Sequence, residues 1–152
     1  MLYSLNNKGD DTLAYSITDA CEGCTICASL CPVAAISGVL KEKHTINPKR
    51  CVECGVCARA CPKSAVTDGS GNPLPRVPRK VWPKPAFDAA KCTACGICVQ
   101  ACAAGALEIT LPQFKGDLRV SAHLTDEKKC VACGLCARDC PMDVITMQEV
   151  AA

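Results

Sequence analysis

Sixteen cysteines in a chain of 152 residues stand at a spacing that could do chemistry. They fall in four runs: Cys21-EG-Cys24-TI-Cys27-ASL-Cys31, Cys51-VE-Cys54-GV-Cys57-ARA-Cys61, Cys92-TA-Cys95-GI-Cys98-VQA-Cys102 and Cys130-VA-Cys133-GL-Cys136-ARD-Cys140. Each reads C-x2-C-x2-C-x3-C. Proline follows the fourth cysteine in three runs, whereas Ala103 follows Cys102. A thiolate can be a nucleophile, half of a disulfide or a metal ligand. Four repeats without a leftover cysteine point to ligation.

The spacing also bears on the metal. Zinc sites usually pair two C-x2-C knuckles, and a third cysteine two residues on has no role in them. A [4Fe–4S] cube needs four converging thiolates, and a loop of three at x2 spacing can wrap one corner of it. Four cubes need sixteen thiolates, which is the number present. Gly55, Gly96 and Gly134 follow the second cysteine, where a missing side chain lets backbone N–H groups approach sulfur, and Thr25 takes that place in the first run. Ile26, Val56, Ile97 and Leu135 precede the third cysteine as candidate shields against water.

These four motifs resemble those of the bacterial-type ferredoxins with two [4Fe–4S] clusters, doubled in tandem as a polyferredoxin over about Leu13 to Met147. The resemblance implies an α+β fold of two ferredoxin-like two-cluster units with pseudo-twofold symmetry, and crossed ligation. Cluster one then takes Cys21, Cys24, Cys27 and Cys61, and cluster two takes Cys51, Cys54, Cys57 and Cys31. Cluster three takes Cys92, Cys95, Cys98 and Cys140, and cluster four takes Cys130, Cys133, Cys136 and Cys102. Implied too is a non-catalytic electron-transfer subunit of a larger oxidoreductase, of the kind used in anaerobic metabolism. The Pro-rich middle and uniform motif spacing are similar to the small subunits that accompany tungsten-containing aldehyde oxidoreductases. The implied partners are a large catalytic subunit holding tungsten or molybdenum, a flavin/NAD subunit, or another copy of the chain. A free soluble polyferredoxin serving several enzymes is the alternative.

The elements that must position these thiols are short. The x3 interval before each fourth cysteine suits one helical turn. Leu13–Thr18 is expected to be a strand, Ala35–Ser37 and His44–Ile46 a hairpin, and Val66 the closing strand of the first half. Ala106–Leu111 and Leu118–Leu124 form the matching hairpin, which is longer: Cys102 to Cys130 spans 28 positions, against 20 from Cys31 to Cys51. That extra length is a candidate partner surface. CVECGVCARACP and CVACGLCARDCP agree at nine of twelve positions, so the repeat is a doubled pair. The expected organisation is a first unit at 1–68, a linker at 69–86 and a second unit at 87–152. Gly69 to Pro85 contains five prolines and is either an extended strap pinned by Trp82 or a loose spacer.

Composition narrows the class further. The apolar fraction of 49% is largely cysteine and alanine, so bound clusters must help fill and cross-link the interior. MLYSLNNKGDD lacks the basic start, apolar run and cleavage site of an export signal, and no apolar stretch reaches membrane-span length, so a reducing cytoplasm is expected. Four cubes at about −2 each turn the formal charge of +2 into about −6. Lys41, Lys43, Lys49 and Arg50, with Arg76, Arg79, Lys80 and Lys84, are either solvated surface or a docking face for an acidic partner. No recognised module or aromatic platform supports nucleic-acid binding. No P-loop, dinucleotide fingerprint or catalytic triad is present. His44 and His123 read as surface or hairpin residues. The N–H of Ala103, which proline would lack, is expected to point at sulfur and raise the potential of cluster four.

Overall fold

A computed structural model describes residues 14–150; Leu13, at the start of the first expected strand, lies outside them. Among these residues are eight short strands, four α-helical turns and a 3-10 turn at Arg79–Val81. In the first half the order is β1 (Ser16–Ile17), α1 (Ile26–Leu30), β2 (Ile36–Ser37), β3 (Thr45–Ile46), α2 (Val56–Ala60) and β4 (Val66–Thr67). In the second it is β5 (Lys84–Phe87), α3 (Ile97–Ala101), β6 (Leu107–Ile109), β7 (Ala122–Leu124), α4 (Leu135–Arg138) and β8 (Ile145–Gln148). The same antiparallel pairings recur in each half: first strand with last, and the middle two as a hairpin. Among the described residues no helix is long and apolar enough to cross a membrane.

The helices are single turns because the ligand loops fix both of their ends. Each starts after a residue in the left-handed region: Thr25 at φ 61°, Gly55 at 73°, Gly96 at 79° and Gly134 at 74°. Glycine takes this conformation without steric cost, but Thr25 adopts it at about 1–2 kcal/mol. At the other end, Cys31 and Cys61 are extended at ψ 114° and 116°, as the proline after each requires. Cys102, followed by alanine, closes to ψ 90°.

The Pro-rich segment is fastened along its length. It turns back at Asp68, whose carboxylate accepts from the Ser70 and Asn72 N–H groups at 2.9 Å each, and Leu74 then donates to the Val66 carbonyl at 2.9 Å. Val77 donates to the Arg59 carbonyl at 3.1 Å. Trp82 is 2% exposed and packs with Val56, Val131 and Ala132, so its ring joins the two halves. Its indole N–H donates to the Val77 carbonyl at 2.9 Å, and the Arg59 and Arg79 guanidinium groups lie 5.5 and 5.4 Å from its ring. Two of the segment's cations bind backbone of the second half. Arg79 donates to the Lys128 carbonyl at 2.8 Å, and Lys84 donates to those of Glu127 and Cys130 at 2.6 and 3.1 Å. Strand β5 begins at Lys84, inside the Pro-rich segment. It accommodates Pro85 because a two-stranded ladder leaves one edge of each strand unpaired.

Candidate metal centres

The paired helices α1·α2 and α3·α4 bring the thiols into four cavities. The first is lined by Cys21, Cys24, Cys27 and Cys61, and the second by Cys31, Cys51, Cys54 and Cys57. The third is lined by Cys92, Cys95, Cys98 and Cys140. The fourth and widest carries Cys102, Cys130, Cys133 and Cys136, with Cys31 also on its wall. In every cavity three thiols come from one run and one from its partner run, and Cys31 adds a fifth to the wall of the fourth cavity.

Burial, with repulsion from neighbouring thiols, raises the pKa values of six of the thiols. Burial pushes Cys27 up to about 11, with Cys21, Cys24 and Cys61 adding to the rise. Cys57 and Cys136 are pushed up to about 12, again first by burial. Cys54, Cys98 and Cys133 move the same way for the same leading reason. Such thiols give up their protons to a cationic centre, so loading the sites releases protons.

Backbone donors reach the sulfurs through strained turns. The third residue after each fourth cysteine sits at positive φ: Ala34 at 48°, Ser64 at 48°, Gly105 at 59° and Asp143 at 51°. The turn bends the next N–H back in three of the four: Ala35 to Cys31 Sγ at 3.3 Å, Ala65 to Cys61 Sγ and Ala106 to Cys102 Sγ at 3.4 Å each. Gly23 donates to Cys21 Sγ at 3.4 Å and Ala122 to Cys92 Sγ at 3.5 Å. Only one of the four turn positions is glycine, so sequence reasoning had no signal there. The Ala103 N–H does not point at sulfur. It donates to the Ala101 carbonyl at 3.1 Å, because the preceding ψ of 90° folds it back on the helix end.

The four sites divide into outer and inner pairs. Cys24 and Cys95 are the exposed cysteines, and their neighbours Ile26 and Ile97 are each 40% exposed. Val56 and Leu135, at the same motif position in the second and fourth runs, are buried at 0% and 6%. Cys133, across the junction of the halves, lies near enough to Cys54 to add to the rise of its pKa, which burial leads. Cys27 acts on Cys57 in the same way inside the first half.

His44 is buried rather than at the surface, at 1% exposure, because Gly38 leaves room for its ring: a Cβ there would sit 2.5 Å from the His44 Cγ. Its Nδ1 donates to the Glu42 carbonyl at 3.0 Å, its Nε2 lacks a protein partner, and the ring lines the first cavity. His123, on β7, is half-buried with an unpartnered Nδ1.

A test of fit follows from the donors. Each cavity offers four thiols and a hydrophobic wall. Among the described residues no three Cys, His, Asp or Glu side chains converge closely enough to hold a single metal ion. Four thiols on one cavity wall are the donor set that a cube requires. A family profile described as the 4Fe–4S dicluster domain matches residues 20–65 and 91–144. The chain belongs to the 4Fe–4S dicluster domain family. Two dicluster domains with sixteen cysteines fit four [4Fe–4S] clusters and an electron-transfer role. No curated protein matches the chain. A similar chain occurs in the solved formate dehydrogenase–heterodisulfide reductase–formylmethanofuran dehydrogenase complex from Methanospirillum hungatei (dimeric, composite structure). The two are 25% identical, the match covers 84% of the dicluster chain and 52% of the other, and the TM-score is 0.35. The dicluster chain therefore spans about half the length of that one.

Proposed function

We propose that the protein is the electron-transfer subunit of a larger oxidoreductase, linking a catalytic subunit to a second redox partner. The observation that carries this reading is that each cavity gathers three cysteines of one run and one of its partner run, with Cys31 also on the wall of the fourth. On it, Cys21, Cys24, Cys27 and Cys61 hold one cube, and Cys51, Cys54, Cys57 and Cys31 the next. Cys92, Cys95, Cys98 and Cys140 hold a third, and Cys130, Cys133, Cys136 and Cys102 the last. Each cube supplies one-electron reduction and reoxidation when bound. The first unit covers residues 1–68 and the second follows a strap from 69, with β5 belonging to the second.

The sites form a row, one–two–four–three. The closeness of Cys54 to Cys133 and of Cys27 to Cys57 supports that order. So does the shared core of Cys98 and Cys136. Exposed Cys24 and Cys95 mark the two ends, where redox partners come near. An attached subunit is further supported by the long hairpin between β6 and β7, whose Leu111, Phe114 and Leu118 are 80%, 57% and 90% exposed. The partner class is a large tungsten- or molybdenum-containing subunit, with a tungsten aldehyde oxidoreductase as first candidate on the Pro-rich middle and motif spacing. A flavin/NAD subunit or a second copy would occupy the other end, in a reducing cytoplasm.

Anaerobic native purification tests the reading. The expected result is co-elution with a large cofactor-bearing subunit and about sixteen iron per chain. A chain that elutes alone and is fully active as a shuttle refutes it.

A further inference from the structure

The second and fourth runs share the tripeptide Cys-Ala-Arg and then differ: Ala60 follows Arg59, whereas Asp139 follows Arg138. Arg138 pairs with that aspartate through two hydrogen bonds of 2.6 and 3.1 Å. Arg59 has no carboxylate partner among the described residues, and its Nε is buried without a hydrogen-bond acceptor. Its Nη2 instead donates to the Cys54 carbonyl at 3.1 Å and to the Ala132 carbonyl at 2.7 Å. Those carbonyls belong to the second and fourth ligand loops, and the second of them is one residue from Cys133. The Trp82 ring lies 5.5 Å from the guanidinium, and the Arg59 backbone is fixed by Val77, which donates to its carbonyl at 3.1 Å.

An unneutralised guanidinium in a half-buried place is costly unless negative charge stands beside it. The neighbours on both sides are the two inner thiol sites, each about −2 with an oxidised cube and more negative when reduced. We propose that Arg59 is an electrostatic bridge between the two inner sites, stabilising their reduced states and raising both midpoint potentials relative to those of the outer sites. This rests on the four-cluster reading above. Arg59 is a positioning residue: it touches the backbone of both ligand loops and acts on the clusters through charge.

Two substitutions separate charge from structure. Arg59→Gln removes the charge, while Ala60→Asp keeps the arginine and adds the carboxylate that the fourth run has. Redox titration of the holo-protein followed by electron paramagnetic resonance is the readout. The outer signals are assigned by their change in Cys24→Ser and Cys95→Ser. The expected result is that two of the four midpoints fall in both variants, that these are the inner two, and that Arg59→Lys stays near wild type. Unchanged midpoints in Ala60→Asp with iron intact overturn the proposal, as does Arg59→Lys shifting as far as Arg59→Gln. Should Arg59→Gln fail to fold, Ala60→Asp and Arg59→Lys still decide. Failure of the underlying reading looks different: wild-type protein then lacks sixteen iron and four reducible signals.

Discussion

Replacing Ala103 with proline restores the residue found in the other three runs and tests which backbone N–H tunes the fourth site. In the structure the Ala103 N–H donates to the Ala101 carbonyl at 3.1 Å, and Ala106 supplies the N–H to Cys102 Sγ at 3.4 Å. Proline deletes the first bond and leaves the second. The lost bond costs about 0.5–1.5 kcal/mol net. Restricting the unfolded chain returns about 0.4–1 kcal/mol. Cys102 must also open from ψ 90° towards the 114° and 116° that Cys31 and Cys61 adopt before proline, a change of about 25°. The two backbone effects nearly cancel, so stability stays within about 1 kcal/mol of wild type.

The midpoint potentials should all hold, because no N–H···S bond is removed. Redox titration by electron paramagnetic resonance, with guanidinium denaturation of the holo-protein alongside, measures both quantities. A fall confined to the site of Cys130, Cys133 and Cys136 would refute the reasoning. It would mean that the Ala103 N–H turns to sulfur once the site is loaded.

Ser64 sits at φ 48° in a ligand turn, so Ser64→Gly should relieve about 1–2 kcal/mol of left-handed strain against about 0.5–1 kcal/mol of lost chain entropy. A net gain of about 0.5–1 kcal/mol is expected in holo-protein denaturation, whereas a loss would show that the turn is unstrained. The Asp117 carboxylate accepts from the Gln113 and Arg119 N–H groups, at 3.0 Å each, and these bonds hold its pKa below the usual carboxylate range. With the folded pKa depressed, its contribution is present above the unfolded value, near 3.9, and is lost as pH falls through the folded one. Protection of the Gln113 and Arg119 amides against exchange, corrected for the intrinsic pH dependence of exchange, should therefore fall on acidification through that range, and Asp117→Asn should remove this change. Stripping iron with a chelator should abolish cooperative thermal unfolding, since cubes replace much of the apolar core. A cluster-free chain with native circular dichroism contradicts this.

Local features of the sequence were enough for the hairpins and the one-turn helices, because x3 spacing and alternating apolar residues act within a few residues. Leu13–Thr18 reads as a strand, and β1 occupies Ser16–Ile17 within it. Long-range features were not legible. The third position after each fourth cysteine has positive φ, yet holds Ala34, Ser64, Gly105 and Asp143, so composition gives no sign of the turn. His44 reads as a surface or hairpin residue and stands beside β3 in the hairpin, but its burial is not legible until Gly38, six positions earlier, is seen to leave space for its ring. The division into inner and outer sites depends on how the halves dock through Trp82, which no local window contains. One mark of that division is nonetheless present in the chain. The second and fourth runs, the most alike of the four, are those that face each other across the junction, and they differ at Ala60 and Asp139. On the role proposed for Arg59, Arg138 is paired with Asp139, whereas Ala60 leaves Arg59 without a neighbouring carboxylate beside the two inner sites.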